Sequence, residues 1–525
     1  MLVVFKGILC VQFTYTAYSL YQLALIKYSE RFEIDIAWYL EDMSIMQHSK
    51  LSDHTYVKGK FITPFNKIMK ELSKEESWFH GRLPEYIWLA LILKYYGRDE
   101  GLIKCSQLLR KVRAHTSALF LPRFSDVLTL PENDQTTLFN SFVDTIDIET
   151  LAPLTVVFTY SKYPCFSSFF TSQLSPEERI AVINEIVDEA SDHQSEFSTD
   201  IRFLVLYYQL LAGRLHMPQE TLEMLLEYPK TPHSDEKMRM IRPTVRAMEI
   251  IMPLEMDASK EEYSDIFWEG ISKLSSCELF SLNISPEHND TEKYTAVIKR
   301  ILQYYTDILV AARPLDNKLL VILGIATYSY KRILEVVEHD LYQTIAGRSI
   351  VRILVENYIV LKYLIKNESE HDDIWTEYQY YGIGQYKLIA ERYKEAGREL
   401  PKSHVMYDYI DLLVGEYKNK EFIDMDTTYF DKTNVREKAI AVGEKELFGL
   451  YYDYDSAYEH GLWGAIRESA LIKCNSAAHQ YHCVPDIDNV QKMKDIWDDC
   501  VSVMSKIIDV LKDVYGLPSS FDEVK

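Results

Sequence analysis

The chain has 525 residues, 47% of them apolar and 26% charged, which suits well-formed cores and excludes a disordered chain. Only 18 Gly and 17 Pro exclude collagen-like and turn-dense designs, while 38 Tyr help raise the aromatics to 13%. With 57 Lys+Arg against 79 Asp+Glu the formal charge is -22, which repels phosphate backbones at long range and leaves RNA only a local basic site.

Residues 1–42 read as an N-terminal extension whose place in the native protein is open, because Met43 and Met46 are alternative starts. Gly7 to Ile26 carries no formal charge, but Gln12, Thr14, Thr16, Ser19 and Gln22 interrupt it. Lys6 alone is a poor basic start for a signal peptide, so no membrane segment is expected. The seven Cys are odd in number and scattered, which points to a reducing, cytoplasmic setting.

Helical periodicity dominates the rest. Leu83 to Gly97 predicts a buried helix, with Pro84 tolerated in its first turn and Gly97 placed to stop it. Gly101–Ala118 continues with apolar residues at helical spacing. Ser175-Pro-Glu-Glu178 is an N-cap followed by first-turn acids, and it opens a helix running to about Ala190. Further helices are predicted over Asp200–Gly213, Pro218–Glu227 and Glu261–Leu274. Loop-like text near residues 228–260 and from Cys277 to Thr291 places a domain boundary between about 255 and 292. The second half predicts helices over Glu292–Ala311, Asp316–Glu338, Tyr342–Lys366, Trp375–Gly397, Val435–His460 and Asp488–Tyr515. The expectation is an all-α, two-domain helical bundle architecture, with an N-terminal domain over 43–260 and a C-terminal domain over 290–525.

Arg348, Arg352 and Glu356 fall at i, i+4 and i+8 of one predicted helix. They form either a solvated ladder with one helical ion pair, or two guanidinium groups aimed into a cleft with Glu356 holding one of them. Tyr452, Ser456 and His460 repeat the spacing on a later helix, with Asp453, Asp455 and Glu459 beside them. The helix dipole alone accounts for a His in the last turn; hydroxyls and carboxylates around it also suit a general acid–base.

An Arg-x-x-x-Arg-x-x-x-Glu helix with a later Tyr-x-x-x-Ser-x-x-x-His-Gly helix resembles a bacterial family of helical domains of unknown function, over about residues 310–470. Such domains are broadly similar to the helical ribonuclease toxins of anti-phage and toxin–antitoxin systems. The resemblance implies Arg348, Arg352, Glu356, Tyr452, Ser456, His460 and Gly461 as the recurring positions and brings no activity with it. A ribonuclease of that kind would use His to take the 2′-hydroxyl proton and Arg to stabilise the pentavalent phosphate, without a metal. Arg110-x4-His115 and Arg332-x6-His339 also match such toxins' Arg–His spacing, at a frequency that chance supplies.

Cys474, His479, His482 and Cys483 have the residue types of a zinc site, but adjacent His482 and Cys483 would rarely share one ion, so no metal and no cofactor are expected. Lys104, Arg110, Lys111, Arg113 and Arg123, and separately Lys237, Arg239, Arg242 and Arg246, are local basic patches that either balance nearby acids or hold RNA phosphates. Phosphate-binding Gly loops, His-Glu-x-x-His and Gly-x-Ser-x-Gly do not occur. The leading expectation is a toxin-type or anti-phage effector with a metal-independent site of His460, Arg348, Arg352, Glu356, Tyr452 and Ser456. The alternatives are a non-catalytic helical scaffold that binds a protein partner or its own copy, and a small-anion sensor. Whether the chain is an enzyme stays open among them.

Overall fold

The computed structural model describes residues 51–63, 77–116, 119–214, 219–251, 258–282, 284–371, 373–396, 404–416 and 423–521. The expectations for residues 1–42, including Gly7–Ile26, lie outside the described residues. The architecture is all-α, with a few short strands. Among the described residues no helix is long and apolar enough to cross a membrane. The chain divides into two compact units. The first holds the described residues up to Leu279 and takes back Cys474–His482; the second holds Phe280–Lys473 and the chain from Cys483 onward.

In the first unit, a hairpin pairs β1 (Thr55–Val57) with β2 (Lys60–Ile62). Lys58 and Gly59 turn between them at positive φ, the twist such hairpins favour. The core is built around α1 (Leu83–Tyr96), whose residues from Leu83 to Leu93 are all buried. A helix buried on every face, with Glu85 the one charge among these positions, belongs at the centre of its domain. It packs against α2 (Arg98–His115), α3 (Pro176–Ser191) and α4 (Glu196–Leu211). The α3 start carries the expected Ser175–Glu178 capping box. Gly97 separates α1 from α2 at φ 75, so α2 begins at Arg98, ahead of the predicted Gly101. Likewise Ser195 caps α4 at Ser198 N, so α4 begins before Asp200. Buried Arg82 and Arg202 converge on Glu249 of α5 (Met238–Ile251), at 2.6 and 3.4 Å, and Arg202 lies 4.4 Å from the centre of the Trp78 ring. α6 (Ala258–Leu274) completes the unit's longer helices.

The second unit begins with α7 (Thr291–Ala311) and α8 (Asn317–Glu338). α9 (Ile345–Asn367) is its central helix. Its buried Ile350, Leu354, Leu361 and Leu364 join Val503, Met504, Ile507 and Leu511 of the last helix in one core. α9 starts three residues after the predicted Tyr342 because the Thr344 hydroxyl accepts the Gly347 N–H. α10 (Ile374–Ala396) follows the break at Asn367.

Two predicted helices need correction. Val435–His460 is not one helix: α11 (Val435–Ala441) stops short of Gly443, held at φ 80, and a π-helical turn over Phe448–Tyr452 leads into α12 (Asp453–Glu459). Asp488–Tyr515 is helical only as α13 (Trp497–Tyr515), and the Asp495 carboxylate accepts the Trp497 N–H at its first turn. Before it, β3 (Leu471–Cys474) pairs antiparallel with β4 (Cys483–Pro485), with Ile472 opposite Val484.

Candidate functional site

The seam between α9 and the segment Phe448–Glu459 brings together four of the six expected site residues. On α9, Arg352 donates from Nε to Ser456 Oγ at 2.9 Å and from Nη2 to the Tyr452 hydroxyl at 2.8 Å. Its guanidinium carbon lies 4.6 Å from the Tyr452 ring centre, while Nη1 stands 3.5 Å from Glu356 Oε2 one turn on. The π-helical turn ends on Tyr452, whose ring stacks on Phe448 at 4.7 Å. Tyr452 and Ser456 are one turn apart, so a single planar fork reaches both hydroxyls.

Burial raises the Glu356 carboxyl above its ordinary value, against the pull of Arg352 and Lys438. Burial also raises the Tyr452 hydroxyl, with a further push from Glu356. Lys438 of α11 is itself buried and held low by that burial; its ammonium donates to the carbonyls of Phe430 and Thr433. Tyr378 of α10 is pushed up to about 12, first by burial and then by the Glu356 charge.

Arg348 belongs to a neighbouring group. It is only 5% exposed and donates from Nη2 to the Lys494 carbonyl at 2.5 Å, while its buried Nε has no hydrogen-bond partner among the described residues. The charges it answers are Asp455 of α12 and Asp499 of α13. Burial pushes Asp455 up to about 7; Arg348 pulls it down, and Asp499 and Glu468 push it further up. Asp499 is raised by its own burial. Asp455 stood beside the predicted Tyr–Ser–His face, but nothing in the sequence connects that face to Asp499 or Lys438, which reach it only through the tertiary fold.

His460 does not join either group. The helix ends at Glu459 and Gly461 turns away at φ 56, so the i, i+4, i+8 series loses its geometry at its third member. His460 is exposed, its backbone N–H donates to the Ser456 carbonyl, and its ring makes no hydrogen bond or ion pair among the described residues. The other Arg–His spacings also fail to meet. Arg110 donates to the Tyr207 hydroxyl while His115 is exposed, and Arg332 pairs with Glu335 at 2.5 Å while His339 is exposed.

Most of the basic patches find partners close by. Arg123 pairs with Asp126, Arg242 with Glu196, Lys237 with Glu227 and Lys104 with Glu100; Lys111 donates to Thr145 Oγ1. Of the four thiol and imidazole groups considered for a metal, the structure keeps Cys474, His479 and His482 together, leaves out Cys483 and adds Cys277.

No curated protein and no solved structure matches the chain. Residues 320–479, which contain Arg348, Arg352, Glu356, Tyr452, Ser456 and His460, match the model of a family of unknown function, DUF5677.

Proposed function

We propose that the second unit carries an anion-binding site centred on Arg352, with Glu356 as its proton-handling group. The observation that carries this reading is a loose ion pair on a helix seam. Arg352 and Glu356 stand 3.5 Å apart, with 21% and 35% of their side chains exposed. Burial raises the Glu356 carboxyl, which eases its uptake of a proton, and that uptake releases one edge of the guanidinium to the charge building on a bound oxyanion. A guanidinium fork matches phosphate and carboxylate geometry. A phosphodiester of RNA fits this chemistry: the Glu356 carboxylate would accept the 2′-hydroxyl proton as O2′ bonds to phosphorus, Arg352 would stabilise the pentavalent phosphate, and the proton would pass to the 5′-oxygen as the P–O5′ bond breaks. The chain would then be a toxin-type or anti-phage effector in which Glu356 takes the role expected of His460.

The test is growth and total-RNA integrity after induction in a bacterial host. Wild type arrests growth and cleaves RNA, Glu356→Gln lowers cleavage by about 100-fold or more, and His460→Ala behaves as wild type. Loss of cleavage in His460→Ala with full cleavage in Glu356→Gln would reverse the assignment of the base. Intact RNA under wild-type induction would remove the ribonuclease chemistry and leave anion binding, to be read by titration with inorganic phosphate.

A second reading, a non-catalytic scaffold that binds a protein partner or its own copy, draws on a different observation. All three Arg352 nitrogens already have partners within the unit. Under it, Arg352→Ala weakens the seam between α9 and α12, and phosphate titration gives no signal.

A further inference from the structure

We infer that Cys277, Cys474, His479 and His482 form a structural zinc site within the first unit. The four donor atoms lie within 4.8 Å of one another. Cys277 Sγ is 3.2 Å from His479 Nδ1 and 3.3 Å from His482 Nε2, and Cys474 Sγ is 3.6 Å from His479 Nδ1. A tetrahedral zinc, with bonds of about 2.3 Å to sulfur and about 2.0 Å to nitrogen, sets sulfur–nitrogen separations of about 3.5 Å.

Pairwise thiol–imidazole hydrogen bonds do not require all four donor atoms to meet at one point, as they do here. His479 Nε2 faces the carbonyls of Ser272 and Ser275 at 3.0 and 3.2 Å, and only an N–H can donate to them. That fixes the tautomer and leaves one lone pair on Nδ1, aimed at two sulfurs. Cys277, with one thiol proton, faces two imidazole nitrogens. A single cation between the four groups satisfies all of them. Cys474 Sγ also accepts backbone N–H groups from Glu278 and Ser476, each at 3.4 Å, which hold the sulfur in place.

The backbone around the site is shaped for it. Ala477–His479 forms a single 3-10 turn with Ala477 and Ala478 buried in the core. Gln480 and Tyr481 follow, both at φ 52, a left-handed conformation that costs about 1 kcal/mol or more per residue. The Tyr481 hydroxyl meets Asp188 and Ser191 at 2.9 and 2.8 Å, and its ring stacks on Phe79 at 5.5 Å. This anchored turn sets the two imidazoles side by side, with ring centres 5.0 Å apart. Four protein donors close the coordination sphere, which marks a structural rather than a catalytic ion. Binding releases two thiol protons to solvent, and two thiolates, two neutral imidazoles and one Zn²⁺ sum to zero charge, so the buried Cys474 sulfur sits in a neutral group. The ion would tie Cys277, where the chain is about to leave the first unit, to the segment that re-enters it 197 residues later, 474 minus 277.

Metal content of the full chain, purified under reductant, tests this. Wild type and Cys483→Ser carry close to one zinc per chain, whereas Cys474→Ser and His479→Ala lose about tenfold or more. Because those two variants can also unfold, wild type is exchanged with Co²⁺, which gives tetrahedral ligand-field bands with thiolate charge transfer. Wild type that holds no metal after equilibration with zinc under reductant would overturn the assignment. So would metal loss in Cys483→Ser equal to that in Cys474→Ser, cobalt bands without a sulfur signature, or a Cys277–Cys474 disulfide in peptides of the unreduced chain.

Discussion

Asp455→Asn should stabilise the second unit at neutral and alkaline pH and do little in acid. The carboxyl is 3% exposed and burial moves it from its ordinary 3.8 to about 7. A group whose folded pKa is raised binds its proton more tightly in the folded state. Its contribution is fully present below the unfolded value and is lost as pH rises through the folded one. At about 1.4 kcal/mol for each pH unit separating the two values, the full span is about 4 kcal/mol. Between about pH 5 and pH 8 wild type loses about 3 kcal/mol of it, and the permanently neutral Asn loses none. Hydrogen exchange of peptides from α13, corrected for intrinsic rates, reads the second unit apart from the first. Wild-type protection should fall over that interval relative to Asp455→Asn, by about 100-fold in the exchange-competent population. Equal pH slopes in the two proteins, or an Asn variant less stable at about pH 8, would refute the claim that burial outweighs Arg348 at this carboxyl.

Two further substitutions probe the frame. Glu249→Ala strands the buried Arg82 and Arg202 guanidinium groups beside Trp78 and should cost about 3–5 kcal/mol, read as an early urea transition of the first unit. Gly347→Ala places a methyl against the Leu341 carbonyl at the first turn of α9 and should cost about 1–3 kcal/mol by thermal unfolding, with Gly449→Ala, where a Cβ meets nothing within 4 Å, as the tolerated control.

The helical fold was legible where one physical signal acted alone. The apolar run Leu83–Leu93 needs no partner to be read as a buried helix, and Ser175-Pro-Glu-Glu178 carries its own cap. Reading failed where backbone conformation overrode periodicity. Val435–His460 keeps helical spacing on paper, yet Gly443 at positive φ divides it and the π-helical turn shifts the face that follows. The stretch 488–496 is not helical: Asp486 accepts the Val490 and Gln491 N–H groups and Asp495 that of Trp497, hydrogen bonds that composition does not announce.

The candidate site divides along the same line. Arg352, Tyr452 and Ser456 were readable as two one-turn spacings, and their meeting requires only that two amphipathic faces pack. His460 extended the second series by one turn too many. Counting residues carries no information about side-chain direction once a helix has ended, and this one ends at Glu459. Asp499, Lys438 and Cys277 had no local signal because each meets its partners across the fold; Cys277 stands 202 and 205 residues from the two imidazoles it faces. Cys483 shows the converse. It adjoins His482 in sequence but starts β4 opposite Lys473, and neighbouring side chains of an extended segment point to opposite sides. Sequence proximity sets Cys483 beside Cys474, His479 and His482, whereas the fold gathers Cys277 with those three.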